Sequence, residues 1–285
     1  MKEITLLATA LVLLFLVGCT PSNSTAHRGC QEDETDEQGN CVPAPDNNAN
    51  IFGQEFTGEV TTQELEGTAQ GFLAQPRQEG RYPGIIMIHE WWGLNSNIKY
   101  MAQLLANEGY VVLAVDLYDG VVAEDAETAG TLAGKVRNNP EQALAKMKSA
   151  VQYLRDHQEV EHIASLGWCF GGQQSLQLSL HEQLDATVIY YGHLVEDRGQ
   201  LSHIKGPVLG IFGQEDTSIP VPSVTAFKEA LTELGIENNI YLYPGVGHAF
   251  ANPSGGRYAE EETKDAWKKT VAFLEQHLKQ QERST

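Results

Sequence analysis

Positively charged residues are scarce in this sequence. Its 285 residues include 19 Lys and Arg against 38 Asp and Glu, which gives a formal net charge of −19. Nucleic-acid binding needs clusters of Lys and Arg to neutralise phosphates, so the composition argues against a nucleic-acid partner. The same excess of negative charge makes the folded surface a poor match for anionic lipid.

Cysteine is also rare, with four residues in the chain. The sequence contains no C-x-x-C or H-x-x-x-H pair, so it suggests no metal site, and we expect no cofactor. Cys30 and Cys41 lie close together in an acidic segment, and in an exported chain such a pair most simply forms a disulfide. Cys169 lies far from both and needs a separate explanation.

A long hydrophobic run occurs only at the start of the chain. Residues 1–18 combine a short charged start with an apolar run too short to span a membrane, which predicts a signal peptide. The segment Leu16-Val17-Gly18-Cys19 resembles the lipobox of bacterial lipoproteins, in which the cysteine is lipidated and becomes the first residue. A plain secretory signal or a membrane anchor is the alternative. We expect a lipid on Cys19 to anchor an exported protein to a membrane of the bacterial cell envelope.

The rest of the chain divides into a tether and one domain. Residues 19–50 are polar and acidic, and they bury too little apolar surface to offset their ordering entropy, so we predict a flexible acidic tether. Residues 51–285 contain no internal repeat and no second linker-like break. We expect a single domain over 51–285, present as a monomer.

Short apolar runs alternate with helical patterns through this domain. The runs are nearly all apolar, which is typical of strands covered on both faces; they are 83–89, 110–118, 162–168, 186–192, 207–213 and 239–245. Apolar residues at helical spacing predict helices over 139–157 and 267–278, and 55–76 predicts antiparallel edge strands. This order predicts an α/β fold with a mostly parallel central sheet and helices on both faces. The functional site then lies at the carboxyl ends of the strands.

The segment GWCFGG, residues 167–172, ends a predicted strand and opens a predicted helix. Small residues two positions before and after Cys169 allow a tight strand-to-helix turn that pushes the central side chain out of the sheet. This is the nucleophile-elbow pattern with cysteine in place of serine. A buried core thiol is the alternative, because free cysteine is often buried.

Two further residues follow the elbow in the order that a nucleophile, acid and histidine arrangement requires. Asp216 lies in the loop after the run 207–213, and His248 lies in a glycine-rich loop after the next strand. Asp216 could instead cap the helix that follows, and Glu215 is the rival acid. His248 could be a loop histidine with a single hydrogen bond.

Together these motifs resemble the dienelactone hydrolase family of the α/β-hydrolase superfamily. The resemblance covers roughly residues 55–280 and rests on IIMIHEWWGLN, GYVVLAVDLY, GWCFGG, GQEDTSIP and GHAFAN. It implies the α/β-hydrolase fold and a catalytic triad of Cys169, Asp216 and His248, with Glu90 assisting ionisation of the thiol. The backbone N–H groups of Phe170 and Trp91 are expected to form the oxyanion hole.

The same resemblance suggests the reaction and the pocket. We expect a carboxylic ester hydrolase that acts on ester or lactone bonds through an acyl-cysteine, with Trp92 and Tyr118 lining the substrate pocket. Family members that open dienelactones bind the substrate carboxylate with arginines, and one of these positions is Asn252 here, so we expect a small neutral substrate. The alternatives are a lipoprotein that binds a ligand without turnover, a redox sensor built on Cys169, and a sugar- or membrane-contacting patch at the tryptophans.

Overall fold

The computed structural model describes residues 52–65, 70–158 and 160–279. The predicted signal peptide, the lipidation site Cys19, the tether and the predicted Cys30–Cys41 disulfide all lie outside these residues. Within the described ranges, no helix has both the length and the hydropathy needed to cross a bilayer.

Eight strands form one sheet whose order is β1-β2-β4-β3-β5-β6-β7-β8. The strands are β1 (Glu59–Glu64), β2 (Gln70–Gln75), β3 (Gly84–Ile88), β4 (Val111–Asp116), β5 (Ile163–Trp168), β6 (Ala186–Tyr190), β7 (Val208–Gly213) and β8 (Asn238–Tyr243). The pairs β1–β2 and β2–β4 are antiparallel, and all other pairs are parallel. The predicted α/β fold with a mostly parallel sheet is confirmed, including the antiparallel strands at one edge.

The helices of the described residues are α1 (Ser96–Asn107), α2 (Ala126–Asn138), α3 (Pro140–His157), α4 (Phe170–His181), α5 (Arg198–Leu201), α6 (Val221–Glu233) and α7 (Glu260–Leu274), which continues as a π-helical turn (Glu275–Lys279). The apolar stripe predicted for α3 is buried, and Pro140 occupies its first turn, where the missing N–H removes no helical hydrogen bond. Helices α1, α2 and α5 were not among the elements predicted from the sequence.

The core consists of two layers, one on each face of the sheet. Ile85 and Met87 of β3 pack in a cluster with residues of α1 and α7, whereas Ile86 and Ile88 pack with residues of α2 and α3. Further along the sheet, α4 and α6 pack on Phe212 of β7. Because successive side chains of a strand point to opposite faces, a fully apolar strand requires helices on both sides.

One predicted strand differs from the doubly covered pattern. Every residue of β3 to β7 is buried, but β8 is half-buried over most of its length. The cause is position: β8 is the last strand of the sheet and pairs only with β7. An apolar sequence alone does not distinguish a central parallel strand from an edge strand.

Candidate active site

Cys169 lies at a sharp turn between β5 and α4. Its backbone has φ 54° and ψ −118°, a conformation that L-residues rarely adopt. A Cβ on Gly167 would lie 2.2 Å from the carbonyl oxygen of Gly171, and one on Gly171 would lie 2.2 Å from that of Ile88. Glycine is therefore required on both sides of the cysteine for the turn to close. The Cys169 side chain is half-buried, not sealed in the core.

The loops after β7 and β8 run side by side because the two strands are neighbours. The N–H of Glu215 donates to the carbonyl of Val246, which joins the loops at a distance of 3.0 Å. Asp216 is buried, and its Oδ1 accepts N–H groups of Ser218 and Ile219 at 2.8 and 2.9 Å. Asp216 thus anchors its own loop and does not cap α6. Its neighbour Glu215, the rival acid, is exposed.

His248 connects the acid to the thiol. Its Nδ1 lies 2.8 Å from Oδ2 of Asp216, and its Nε2 lies 3.1 Å from Sγ of Cys169. The imidazole is buried, with 7% of its surface exposed. Because Nδ1–H donates to the carboxylate, Nε2 is the nitrogen available to exchange a proton with the sulfur. The structure therefore brings all three predicted triad residues into one hydrogen-bonded chain.

The charges on either side of His248 favour its protonated form. Burial lowers the pKa of His248, but a Cys169 thiolate and the Asp216 carboxylate outweigh it and raise the pKa well above its usual value. For Asp216, burial acts to raise the pKa, yet the hydrogen bond from His248 and the two backbone N–H groups bring it below its usual value. The arrangement suits a thiolate–imidazolium pair.

Glu90 follows β3 and is almost fully buried, with 3% of its surface exposed. Burial raises its pKa to about 7, with the charge of His248 acting in the opposite direction. One carboxyl oxygen, Oε2, accepts a hydrogen bond from Nδ2 of Asn252 at 2.8 Å. The sequence identified Asn252 only as a place where an arginine is missing. The structure shows instead that its amide contacts the glutamate.

The predicted pocket residues are all buried near the elbow. The rings of Trp91 and Trp92 are 4.9 Å apart, and Tyr118 lies 5.6 Å from the ring of Phe170. Phe170 is the first residue of α4, so its N–H belongs to the turn that has no partner within the helix. This is the position expected of an oxyanion donor. Tyr118 also lines a cavity of about 360 Å³ beside α2 and α3.

His89 is a buried residue that the sequence patterns did not indicate. Its Nδ1–H donates to the backbone carbonyl of Glu90 at 2.5 Å, and its Nε2 accepts the N–H of Leu117 at 3.2 Å. Burial lowers the pKa of His89, which keeps the ring neutral and both bonds intact. The imidazole thus ties the carboxyl end of β3 to that of β4. His89 directly follows the apolar strand β3, and the neighbouring residues do not indicate that its ring forms these two hydrogen bonds.

Tyr191, just after β6, is a second site residue that the sequence patterns did not indicate. Its ring centroid lies 5.2 Å from that of His248, and its backbone has a positive φ of 34°. Burial raises the pKa of Tyr191, and the nearby Glu90 and Cys169 raise it further. Its buried hydroxyl has no hydrogen-bond partner among the described residues.

Arg137 and Arg257 bear on the possible binding of an anionic substrate. Arg137, exposed at the end of α2, acts electrostatically on Tyr118 and His193. Arg257 lines a separate cavity of about 640 Å³ that also includes Glu215. Arg137 is exposed, so solvent screens its charge, whereas Arg257 is half-buried in that other cavity.

The sheet order, the elbow at Cys169 and the triad geometry define an α/β-hydrolase. The chain matches the model of the dienelactone hydrolase family over residues 69–278 and belongs to that family. It is 31% identical to a Saccharolobus solfataricus protein with the provisional name carboxymethylenebutenolidase, over 72% of this chain and 93% of that one. It is also 31% identical to the Aquifex pyrophilus protein named usf, over 78% and 99% of the two chains.

A solved structure agrees with the fold. The crystal structure of a provisionally named dienelactone hydrolase from Klebsiella pneumoniae superimposes with a TM-score of 0.69 at 27% identity. The match covers 78% of this chain and 100% of that one. The chain is therefore a member of a family of hydrolases with the α/β-hydrolase fold.

Proposed function

We propose that this protein hydrolyses carboxylic ester or lactone bonds through an acyl-cysteine intermediate. Cys169 is the nucleophile, His248 the general base and acid, and Asp216 the residue that orients the imidazole. The observation that carries the proposal is the continuous hydrogen-bonded chain from Asp216 Oδ2 through His248 to Cys169 Sγ, with distances of 2.8 and 3.1 Å. A nucleophile, a base and an orienting acid at such distances are the signature of covalent acyl transfer.

The first half of the reaction forms the acyl-enzyme. The thiol proton moves to Nε2 of His248, and the thiolate attacks the ester carbonyl carbon to form a C–S bond. The carbonyl oxygen becomes an oxyanion, which the backbone N–H groups of Phe170 and Trp91 stabilise by on the order of 3 kcal/mol per donor. The C–O bond to the alcohol then breaks, and the leaving oxygen takes the proton from His248.

The second half of the reaction releases the acid. His248 removes a proton from water, and the hydroxide adds to the thioester carbonyl. The C–S bond breaks, the carboxylic acid leaves, and the proton returns to the sulfur. Glu90 interacts electrostatically with His248, whose charge lowers the pKa of Glu90. The position of Nε2 supports His248 as the group that deprotonates Cys169.

Small neutral esters and lactones are the substrate class that we propose. The residues that we expect to line the substrate pocket, Trp91, Trp92 and Tyr118, are aromatic and buried, and Asn252 provides an uncharged amide next to Glu90. An anionic substrate would meet the Glu90 carboxyl, and no arginine of the described residues is buried where it could offset that charge. A panel of matched neutral and anionic p-nitrophenyl esters and lactones tests this, and equal or faster turnover of the anionic members would contradict it.

The mechanism is tested by removing the reacting groups. Cys169→Ala and His248→Ala are each expected to abolish turnover of short p-nitrophenyl esters, because no acyl-enzyme can form. Glu215→Gln, in the exposed rival acid, is the matched control and should retain full activity. Mass spectrometry of the enzyme quenched during turnover should show the acyl group on Cys169. Full activity of either alanine variant would exclude the mechanism.

We also propose that the protein is exported and held at a membrane by a lipid on Cys19. The support is the sequence pattern of residues 1–19, with its apolar run and lipobox-like end. Labelling of the full chain with radioactive palmitate, followed by detergent fractionation, tests this. Incorporation that disappears in Cys19→Ser is expected, and label that persists in that variant would contradict it.

A further inference from the structure

The contact between Asn252 and Glu90 is a buried bond between distant loops. Nδ2 of Asn252 donates to Oε2 of Glu90 at 2.8 Å, and the two residues are 162 positions apart in the chain. Only 5% of Asn252 and 3% of Glu90 is exposed. The other end of the amide is also fixed, because Oδ1 accepts the N–H of Ser254 at 2.9 Å. The amide therefore cannot turn over, and Asn252 always presents a donor to the carboxyl.

This fixed donor determines what each carboxyl oxygen can do. Because Oε2 accepts from Asn252, a proton bound by Glu90 is placed on Oε1. An amide donor also satisfies the buried carboxyl without adding a positive charge, in contrast to an arginine or lysine. The carboxyl is thus held in position while its proton affinity stays high enough to change near neutral pH.

We propose that Asn252 is a positioning residue that holds Glu90 beside the Cys169–His248 pair and thereby sets the pH range in which the thiol is active. This inference rests on the proposed function, since it assigns Asn252 to the same site. Asn252 affects the site through Glu90, because its side-chain amide donates to the Glu90 carboxyl.

The ionisable groups around Glu90 lie on the loop after β8, on the residue after β6 and beside Glu90 itself at the end of β3. His248, on the loop after β8, lowers the pKa of Glu90. Tyr191, after β6, is affected in turn by the charge of Glu90. His89, at the end of β3, donates to the backbone carbonyl of Glu90 and stays neutral. Among these groups, protonated His248 is the one whose charge lowers the pKa of Glu90 and so opposes the effect of burial.

The test replaces the donor with an acceptor of the same shape. In Asn252→Asp, Oδ1 can still accept from Ser254, but a second carboxyl faces Glu90 and the two must share a proton. We expect the midpoint of the Glu90-dependent step in the pH profile of kcat/KM to move up by at least about one pH unit. The same shift is expected in the pH dependence of Cys169 alkylation by iodoacetamide. Asn239→Asp, at the far end of β8, makes the same charge change outside the site and should leave both profiles unchanged.

A double mutant separates positioning from a general structural effect. The Glu90-dependent step is the one that disappears in Glu90→Gln, so adding Asn252→Asp to that variant should shift nothing. If the Asn252→Asp variant does not fold, Asn252→Ala is the replacement test. It should reduce kcat about tenfold and leave KM within twofold of the wild-type value. An unchanged midpoint in Asn252→Asp, or an equal shift in the Glu90→Gln background, would overturn the inference.

The outcomes also separate this inference from the proposed function. If Cys169→Ala keeps full esterase activity, the proposed mechanism fails, but the alkylation profile still reports whether Asn252 acts through Glu90. If Cys169→Ala is inactive and the Asn252→Asp profiles match the wild type, the positioning inference alone is wrong.

Discussion

The two carboxylate oxygens of Asp216 have different partners. Oδ1 accepts backbone N–H groups of its own loop, and Oδ2 accepts Nδ1–H of His248. The residue therefore combines a local turn with a long-range contact. Aspartate in loops commonly accepts backbone N–H groups of the residues that follow it, as Oδ1 does here. A helix cap makes the same kind of contact, so the sequence allowed that alternative. The long-range contact depends on the neighbouring loop.

Asp216→Asn is expected to impair catalysis more than folding. The amide can keep the loop contacts through its oxygen, but its N–H₂ would face Nδ1–H of His248 and favour the wrong tautomer. We expect kcat/KM to fall by at least roughly 100-fold. The melting temperature should fall only modestly. Stopped-flow ester hydrolysis with parallel thermal unfolding checks both, and near-normal turnover would show that Asp216 does not orient the imidazole.

The hydroxyl of Tyr191, which has no hydrogen-bond partner within the described part of the chain, provides a prediction about stability. A buried hydroxyl with no partner carries a desolvation cost, which Tyr191→Phe removes while keeping the ring next to His248. The variant should be as stable as the wild type or more stable by about 1 kcal/mol, measured by urea unfolding. A clear loss of stability would mean that the hydroxyl has a stabilising partner. Tyr190→Phe, which breaks a 2.7 Å hydrogen bond to Thr270, is the contrasting control and should be destabilised.

Among the helices and strands, the β5–α4 turn imposes a strict packing requirement. A Cβ on Gly171 would overlap the carbonyl of Ile88, since the separation would be 2.2 Å. Backbone cannot move away as a flexible side chain can, so α4 could not approach β3. The elbow therefore depends on glycine for space as well as for turn geometry.

Gly171→Ala should destabilise the fold by at least about 3 kcal/mol or prevent soluble expression. Gly134→Ala, within α2, is the matched control, because an added methyl there meets no atom within 4 Å. That change should stabilise the protein by roughly 0.5–1 kcal/mol, since alanine favours a helix more than glycine does. Guanidinium unfolding of both variants makes the comparison, and equal stability of the two would contradict the packing argument.

The stability of the whole molecule is coupled to the charge on Glu90. Its folded pKa of about 7 lies above the ordinary value of 4.5, so folding favours the protonated carboxyl. The unfolded chain releases its proton at lower pH, so this residue makes the fold less stable as pH rises from about 4.5 through 7. The full cost above that range is on the order of 3 kcal/mol.

Glu90→Gln should therefore stabilise the protein more at pH 8 than at pH 5. Glutamine keeps an acceptor for Asn252 and has no proton to lose. The melting temperatures of both proteins across this pH range provide the measurement, with Glu79→Gln at an exposed site as the control. If the difference in melting temperature between Glu90→Gln and the wild type stays constant across this pH range, Glu90 does not titrate in it.

Much of the fold and part of the site could be predicted from local patterns. Alternating apolar runs and helical stripes gave the parallel sheet, and the glycines around Cys169 gave the elbow, because both follow from steric rules within a few residues. The half-buried state of β8 and the unpredicted helix α2 show where such rules fail. Edge position depends on strand order, and three of the five buried residues of α2 are alanines, which make its buried side less conspicuous than a stripe of large apolar residues.

The sequence was enough to predict the kind of sheet, the bend at Cys169 and the grouping of Cys169, Asp216 and His248. They could not show that Asn252 binds Glu90, that His89 ties β3 to β4, or that Tyr191 lies against His248. Those contacts join loops far apart in the chain, and they form only because the sheet brings the carboxyl ends of its strands to one edge. A hydrogen bond also depends on distances of a few tenths of an ångström, which packing of the complete fold determines.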